Sequence, residues 1–267
     1  MRGDPPPAPE PLPVPALDSH CHLDAMGCRD EADLAGAVSA AAAVGISTVV
    51  TVGDTVDSSR WCAWAASVNG SVHAAVAVHP NELGESVDWD VLSALAAQPQ
   101  VRAIGETGLD YYWGRVDPGV QQEAFRRHIA LAKSTGKALV IHDRDAHADV
   151  LRVLAEEGAP EHTIFHCFSG DAEMARTCID AGYVLSFAGT VTFKNAPELR
   201  EAAALVPPDQ LLVETDAPFL TPMPFRGRPN APYLVPLTVR CLAEVRGEPV
   251  EAVCAAVTET GRRVFAL

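Results

Sequence analysis

Lysine is scarce in this sequence, and positive charge as a whole is in the minority. Three lysines occur among 267 residues, and 35 acidic side chains outnumber 20 lysine and arginine side chains, giving a formal net charge of −15. A surface of this sign repels nucleic acid at long range, which excludes a module that binds DNA through a basic groove. An enzyme that holds phosphate groups through metal ions is not excluded, because a bound cation can be the largest charge in a site.

Cysteine pairs and long apolar runs are also missing. The seven cysteines are an odd number, and no two of them have Cys-x-x-Cys spacing, which argues against a structural zinc site and a disulfide framework. No uninterrupted apolar run reaches about 18 residues, so we expect no membrane-spanning helix. The first residues lack the basic start and apolar core of a signal peptide. These features predict a cytoplasmic protein with reduced thiols and no membrane contact.

Proline is concentrated at the N-terminus, where residues 1–15 contain seven of the 21 prolines. This composition predicts a disordered, polyproline-like tail in solvent. Residues 16–267 have no interior linker, and 48% of the whole chain is hydrophobic, which is enough for one sizeable core. We therefore predict a single domain over 16–267, of about the ~250 residues that one (β/α)8 barrel needs.

Short apolar segments alternate with helical patterns throughout this domain. Eight strands are predicted, each followed by a helix, at 16–19, 46–52, 72–78, 101–105, 138–141, 163–165, 183–187 and 211–213. Eight such units in succession are typical of the α/β class and of a closed (β/α)8 TIM barrel. An open doubly wound sheet is the alternative, but it usually has fewer units, and no glycine-rich phosphate loop opens any helix.

Two histidines follow the first strand on the same face. His20 and His22 are two positions apart, and side chains in a strand alternate between faces with a period of two. Two neutral imidazoles on one face supply half of a site for a divalent metal. A lone His-x-His is a weak signal, so its meaning depends on whether later strands bring matching ligands to the same place.

Histidine and carboxylate residues recur where later strands end, at intervals of roughly 25–35 residues, the repeat of one βα unit in such a barrel. These residues are His22, His79, Glu106, His142, His166 and Asp216. Equivalent positions in successive units meet at the C-terminal rim of a barrel, where the active sites of this fold lie. The spacing therefore predicts that the six side chains converge.

The side chains at this rim match the needs of two metal ions. With His20 added and His79 set aside as a substrate-binding residue, the rim offers four imidazoles and two carboxylates, which is more than one tetrahedral ion requires. They suit two ions with a bridging carboxylate and a shared water or hydroxide as nucleophile. Zn, Mn, Ni, Co or Fe suits such mixed ligands better than Mg, which stays an alternative. We place one ion on His20, His22, Glu106 and Asp216, and the second on Glu106, His142 and His166.

Two further carboxylates have two interpretations each. Asp110 either orients a ligand or caps a helix, and Glu214, which shares a strand face with Asp216, either orders the site or forms a buried pair. The remaining histidines fall out of register and are interpreted as structural or surface residues; they are His73, His128, His147 and His162.

Positive residues near the rim indicate a phosphate-bearing substrate. His79 could donate a hydrogen bond to phosphate, and Arg144 could present its planar guanidinium. Lys194 and Arg226 lie in loops after the seventh and eighth strands. The alternative for these groups is a salt bridge or loop charge. Aromatic residues near the rim could stack on bases or cap the barrel, namely Tyr111, Tyr112, Trp113 and Phe168.

Several segments resemble the TatD-type metal-dependent hydrolases, at 18–24, 105–110, 141–144, 166–170, 189–195, 214–218 and 226–230. Singly these motifs are weak, but in this order and spacing they are very specific, and the resemblance extends from about residue 16 to the C-terminus. It implies a TIM barrel, divalent metals and exonucleolytic activity on DNA. It also implies the two-ion ligand set, with Glu106 and Asp216 as catalytic residues and Asp216 as a ligand or proton acceptor.

The leading hypothesis is thus a metal-dependent phosphodiester hydrolase of the 3′–5′ exodeoxyribonuclease type, acting on single-stranded DNA or frayed ends without an obligate protein partner. One alternative is hydrolysis of another ester or amide, such as an aminoacyl-tRNA ester or an amidohydrolase substrate. Many amidohydrolases bridge their metals with a carbamylated lysine after strand four or five, whereas Glu106 and His142 hold those places here. A non-catalytic binding protein is the third reading, and the complete ligand set argues against it.

Overall fold

The strands of the computed structural model, which describes residues 3–84 and 86–267, form one parallel sheet in sequence order. They are β1 (Ala16–Cys21), β2 (Ile46–Val52), β3 (Val72–Val76), β4 (Val101–Asp110), β5 (Ala138–Arg144), β6 (Thr163–Phe165), β7 (Val184–Phe187) and β8 (Leu211–Val213). The last strand meets the first where the Asp216 N–H donates to His20 O at 2.9 Å and the His22 N–H donates to Ala217 O at 2.7 Å. The predicted TIM barrel is confirmed.

Helices connect successive strands, as parallel pairing requires. They are α1 (Glu31–Ala42), α2 (Val56–Val68), α3 (Trp89–Ala96), α4 (Pro118–Thr135), α5 (His147–Glu157), α6 (Ala172–Asp180), α7 (Pro197–Leu205), α8 (Val235–Arg246) and α9 (Val250–Phe265). The sequence marks both ends of α4. Asp117 caps its start, and Gly136 ends it with φ +64°, a left-handed conformation that glycine adopts without strain.

Three strands extend beyond their predicted ends. β1 continues to Cys21, β4 to Asp110 and β5 to Arg144, and Gly108 pairs with His142 in the extended ladder. The prediction ended β4 and β5 directly before Glu106 and His142, where the apolar run stops, and it ended β1 at Ser19. The ladder continues because these polar side chains face a shared buried site, so several candidate ligands lie within strands and are held rigidly.

The barrel interior below the rim is filled by apolar side chains from all eight strands, together with two from α9. They are Leu17, Val50, Val52, Ala75, Ala103, Ala138, Val140, Ile164, Val184, Leu212, Val264 and Phe265. A larger apolar cluster lies between the strands and the helices. The polar residues of the rim therefore rest on a packed core and not on an open pore.

The described part of the proline-rich N-terminal segment, residues 4–15, is called the head here, and its contacts with the rest of the chain differ from those of a solvated tail. Leu12 is buried, and its N–H donates to Val44 O at 3.0 Å in the loop after α1. Arg228, Tyr233 and Arg240 donate hydrogen bonds to backbone carbonyls of residues 4–11. Composition alone does not reveal these contacts, because the three donors lie more than two hundred positions away in the sequence.

All seven cysteines are free thiols. Within 3–84 and 86–267, no helix combines the length and the apolar character that crossing a membrane requires.

Candidate metal centre

Glu106 lies at the centre of the predicted ligands, on β4, and is only 4% exposed. Its Oε1 lies 2.6 Å from His142 Nδ1 and 2.7 Å from His166 Nε2. Its Oε2 lies 3.4 Å from His20 Nε2 and 3.7 Å from His22 Nε2. The two oxygens of one carboxylate therefore face two separate groups of imidazole nitrogens.

Asp216 joins the first of these groups. It follows β8 with φ +54°, and its Oδ1 lies 3.4 Å from His22 Nε2 and 3.8 Å from His20 Nε2. One side of Glu106 thus holds two imidazoles and a second carboxylate, and the other side holds His142 and His166. The structure brings all six predicted ligands together, and His166 also lies within reach of His20, so the assignment of ligands to two ions stays a prediction.

Hydrogen bonds on the outer ring nitrogens determine which nitrogen of each imidazole carries hydrogen. In a neutral imidazole, a nitrogen that donates leaves the other with a free lone pair. Three histidines donate outward in this way, His22 Nδ1 to Val52 O at 3.0 Å, His142 Nε2 to Asp110 Oδ2 at 3.0 Å and His166 Nδ1 to Glu214 Oε1 at 3.1 Å. Their lone pairs consequently face Glu106.

Lone pairs and carboxylates that face one another require a cation between them. His20 Nε2 and His22 Nε2 are 3.3 Å apart, and both lie within 4 Å of the two carboxylates. His20 Nδ1 is buried without a hydrogen-bond partner among the described residues. This donor set of imidazole nitrogens and carboxylate oxygens fits divalent ions, because such ions are bound by neutral imidazole and ionised carboxylate.

The pKa values of the cluster show the same demand for positive charge. Burial by itself would lower the pKa of His22, but the charges of Asp54, Asp216 and Glu106 outweigh it and raise that pKa to about 10. Burial would raise the pKa of the Glu106 carboxyl, but nearby histidines, with His166 first, hold it well below its ordinary value. Glu106 is thus ionised and can serve as an anionic ligand.

His79 is placed as a hydrogen-bond donor and not as a ligand. Its Nδ1 accepts from the Asn81 N–H at 3.0 Å, so in the neutral ring Nε2 carries the hydrogen. Burial lowers the pKa of His79 to about 4, which keeps the ring neutral. Its Nε2 lies 3.6 Å from Glu106 Oε1 and borders the cavity. Although it lies near Asp110 and His142, it has no inward lone pair to offer a third ion.

Asp110 and Glu214 orient ligands, and Asp110 also holds its own loop. Asp110 Oδ1 accepts the N–H groups of Tyr112 and Trp113 at 3.0 and 3.2 Å, while its Oδ2 faces His142. Glu214 Oε1 accepts from the Cys167 N–H at 2.8 Å as well as from His166. Of the two interpretations given for each carboxylate, the contacts favour ordering of the site.

Two carboxylates near the cluster were missed by sequence reasoning. Asp54 Oδ2 lies 3.5 Å from His22 Nδ1, and the residue lies two positions after Val52, the predicted end of the second strand, a signal that the spacing argument could have used. Asp18 is fully buried and accepts the Thr215 N–H at 3.0 Å and its hydroxyl at 2.5 Å. It thereby fastens β1 to the chain that leads into Asp216.

A cavity of about 610 Å³ opens over the cluster. Glu106, Asp216 and His79 lie on its lining, and Arg144 borders it with a guanidinium 3.9 Å from the centre of the Tyr112 ring. A cation at this position can meet an anion that enters the cavity. Metal ions held at the cluster would therefore polarise an anionic ester, and Arg144 would neutralise its charge from the rim.

Residues 17–266 match the family model described as "TatD related DNase". The chain belongs to the TatD family. Its similarity to a Mycobacterium tuberculosis protein named "Uncharacterized metal-dependent hydrolase TatD" is 53% identity over 258 residues, which covers 94% of this chain and 98% of that one. The family predicted from the motifs is thus confirmed.

Two further relatives bear on the structure and activity of this TatD-family chain. The crystal structure of the TatD homologue YjjV from Escherichia coli K12 superposes with a TM-score of 0.86 at 26% identity, covering 94% of this chain and 98% of that one. A protein of Erwinia billingiae named "3'-5' ssDNA/RNA exonuclease TatD" is 37% identical over 205 residues, covering 71% of this chain and 76% of that one.

Two predicted substrate-binding residues of this TatD-family chain do not reach the cavity. Lys194 and Arg226 are both exposed, and the Arg226 guanidinium lies 4.2 Å from the centre of the Phe193 ring. They lie near each other on the neighbouring surface, and neither lines the space over Glu106. Of the positive groups predicted for substrate binding, the structure brings His79 and Arg144 to the site.

Proposed function

We propose that this metal-dependent hydrolase of the TatD family is a phosphodiesterase that removes nucleotides from the 3′ end of single-stranded DNA. The observation that supports this most directly is the position of Glu106, whose two oxygens face separate groups of inward lone pairs within one cavity. Two divalent ions would share this carboxylate. His20, His22 and Asp216 would hold one of them, and His142 and His166 would hold the other.

The bound ions would act as Lewis acids on the phosphoryl oxygens and lower the pKa of the attacking water. The protein groups around them have separate tasks. Asp216 lines the cavity and is ionisable, so it can accept a proton from the water. His79 offers its Nε2–H to a phosphoryl oxygen, and Arg144 offsets negative charge on the substrate at the rim.

A DNA substrate is supported by the charge at the cavity and by the name of one relative. His79 and Arg144 are suited to an anionic group, and the Erwinia billingiae relative is named as an exonuclease of single-stranded DNA and RNA. The net charge of −15 leaves little positive surface for a long duplex, which favours a substrate held at its end.

An amidohydrolase chemistry that depends on a carbamylated lysine has no support in the described residues. The Lys133 ammonium donates to Glu157 O and that of Lys137 to Gln98 O, both away from the cavity, and Lys194 is exposed outside it. A phosphoester is therefore preferred to a cyclic amide as substrate.

The proposal is tested by incubating end-labelled single-stranded oligonucleotides with the protein, with and without chelator. We expect a ladder that shortens from the 3′ end, disappears with chelator and returns with added divalent metal. Glu106→Gln should lower the rate by more than about 100-fold, because an amide cannot bridge two cations and a change one step farther from a metal already costs about 10–100-fold.

Glu82→Gln is the matched control, since Glu82 lines the same cavity and its side chain joins none of the donor groups found among the described residues. It removes the same charge and should retain most of the activity. Chelator-resistant cleavage, or near-native cleavage by Glu106→Gln, would show that the proposed site is wrong.

A further inference from the structure

Three aromatic rings are exposed, and all three lie at the mouth of the cavity or beside it. Tyr112, Trp113 and Phe219 are 55%, 52% and 49% exposed. No other aromatic side chain within 3–84 and 86–267 is as accessible. Trp113 and Phe219 both line the space over the cluster. Large apolar rings that face solvent at one place indicate a binding surface.

Trp113 and Phe219 are each held by an aspartate three residues earlier in the chain. Trp113 lies three residues after Asp110, and its N–H donates to Asp110 Oδ1 at 3.2 Å. Phe219 lies three residues after Asp216, and its N–H donates to Asp216 O at 2.8 Å. One ring follows β4 and the other follows β8, and in a closed barrel with strands in sequence order these two strands are opposite. The rings therefore border the cluster from opposite sides.

Guanidinium groups lie against the first of these rings. Arg115 lies 5.2 Å and Arg144 5.5 Å from the centre of the Trp113 ring, and Tyr112 packs edge-on against that ring with centroids 5.0 Å apart. A guanidinium group over an aromatic face forms a stable pair. The guanidinium keeps its positive charge, which an anion can then contact. The surface thus combines a flat apolar face with positive charge beside a site suited to phosphate.

We propose that Trp113 and Phe219 stack on nucleobases of an unpaired strand whose phosphate lies at the Glu106 cluster. This inference rests on the proposed function and specifies how its substrate is recognised. Every base has a flat face for stacking, so binding is tolerant of sequence. Bases within a duplex are already stacked on one another, so the two rings select unpaired ends. Stacking also supplies affinity that an acidic surface cannot obtain from many phosphate contacts.

The test measures binding and not cleavage, so that it is independent of turnover. Glu106→Gln protein is titrated into fluorescein-labelled dT6, into an oligomer of six abasic tetrahydrofuran units and into a blunt duplex, with anisotropy as the readout. We expect dT6 to bind at least about tenfold more tightly than the abasic oligomer, since each stacked base contributes about 1–3 kcal/mol.

Substitutions in the same background identify the rings. Trp113→Ala and Phe219→Ala should each weaken dT6 binding about 5- to 100-fold and leave abasic and duplex binding unchanged. Trp113→Phe should restore most of the loss because it keeps a flat ring, whereas Phe219→Leu should not, because it keeps only apolar area. Val120→Ala, at an exposed apolar position on α4 away from the cavity, is the control and should change nothing.

Equal binding of dT6 and the abasic oligomer would overturn the inference, as would equal losses for both ligands in the alanine variants. Wild-type protein that binds dT6 through these rings but cleaves no phosphodiester with any metal would support stacking and reject the proposed nuclease. Cleavage of the phosphodiester at the same rate with and without bases would support the proposed nuclease and reject stacking.

Discussion

Three of the four candidate histidine ligands are oriented by a hydrogen-bond acceptor on the far side of the ring. His142 can direct Nδ1 at Glu106 because Asp110 accepts the hydrogen on Nε2, and His166 depends in the same way on Glu214. Such outer partners fix the tautomer and increase the basicity of a metal ligand. Asp110 and Glu214 therefore form a second set of carboxylates around the candidate ligands, and their effect on metal binding can be measured.

Asp110→Asn should weaken metal binding about 10- to 100-fold. In that variant the amide oxygen must face the Tyr112 and Trp113 N–H groups, so the amide nitrogen faces His142 Nε2, where it cannot accept a hydrogen. His142 would then carry its hydrogen on Nδ1, towards Glu106. Calorimetric titration of the metal-free protein with Zn²⁺ or Mn²⁺ measures the loss.

Glu214→Gln is the informative comparison. Glu214 Oε1 alone accepts from both His166 and Cys167, and Oε2 has no partner among the described residues. Glutamine can keep its oxygen at the first position, so its loss of metal affinity should be smaller than that of Asp110→Asn. Equal losses would show that charge, and not hydrogen direction, is what these carboxylates supply.

His128 is a buried histidine outside the cluster and should make stability depend on pH. Burial lowers the pKa of His128 to about 4, from an ordinary value of 6.5. As pH falls below 6.5 the unfolded chain gains a proton that the native ring cannot take until about pH 4. The free energy of unfolding should therefore decrease through this window, by up to about 1.4 kcal/mol per pH unit from this group.

His128→Gln removes this dependence while offering an oxygen to the Val78 N–H that His128 Nε2 accepts. Urea unfolding of both proteins between pH 7 and 4.5 should show the stability of the wild type falling relative to the variant. A constant difference across this range would contradict the account. His162→Gln, at a half-buried position, is a suitable control for the loss of a histidine.

At the scale of elements, the N-terminal head supports the loop between β8 and α8. Arg228 donates to the carbonyls of Asp4 and Pro5, and its own carbonyl accepts the Thr221 hydroxyl. Asn230 in the same loop donates to Phe219 O and Thr215 O, on either side of Asp216. The head is thus connected through this loop to a predicted metal ligand.

Removing the residues before Leu12 should destabilise the protein by about 1–3 kcal/mol. The truncation deletes five hydrogen bonds from arginine and tyrosine side chains, each with a net contribution of roughly 0.5–1.5 kcal/mol before exposure is considered. Calorimetry should show a Tm lower by about 2–10 °C. An unchanged Tm would instead support the interpretation of this segment as a solvated tail, which its composition predicts.

Elements and their order followed from the sequence because apolar periodicity and strand spacing are local properties. The convergence of Glu106, His142 and His166 follows from the same repeat, since equivalent units place equivalent positions on one rim. The directions of Lys194 and Arg226 do not follow, because a loop side chain packs against whatever distant segment adjoins it. Asp54 was missed because the second strand was predicted to end at Val52, two residues earlier.

For the whole molecule, a strongly acidic protein is proposed to act on a strongly acidic polymer. The net charge of −15 means that positive charge must be local, from bound ions, Arg144 and the neighbouring arginine at the rim. Binding of DNA should therefore release few counterions.

The salt dependence of binding tests this local arrangement. We expect a slope of log K against log salt of about −1 to −3, measured with an oligonucleotide and the inactive Glu106→Gln protein. A slope near −8 would reveal an extended electrostatic contact along the DNA backbone, which the net charge of −15 argues against.

Anomalous diffraction from crystals soaked in Mn²⁺ tests the central claim most directly, because it locates the ions themselves. If two ions share Glu106, we expect two peaks about 3.5–4 Å apart on either side of its carboxylate. One should be bound by His20, His22, Asp216 and Oε2, and the other by His142, His166 and Oε1. A cluster without manganese, or a single ion that leaves one of these groups unbound, would contradict it.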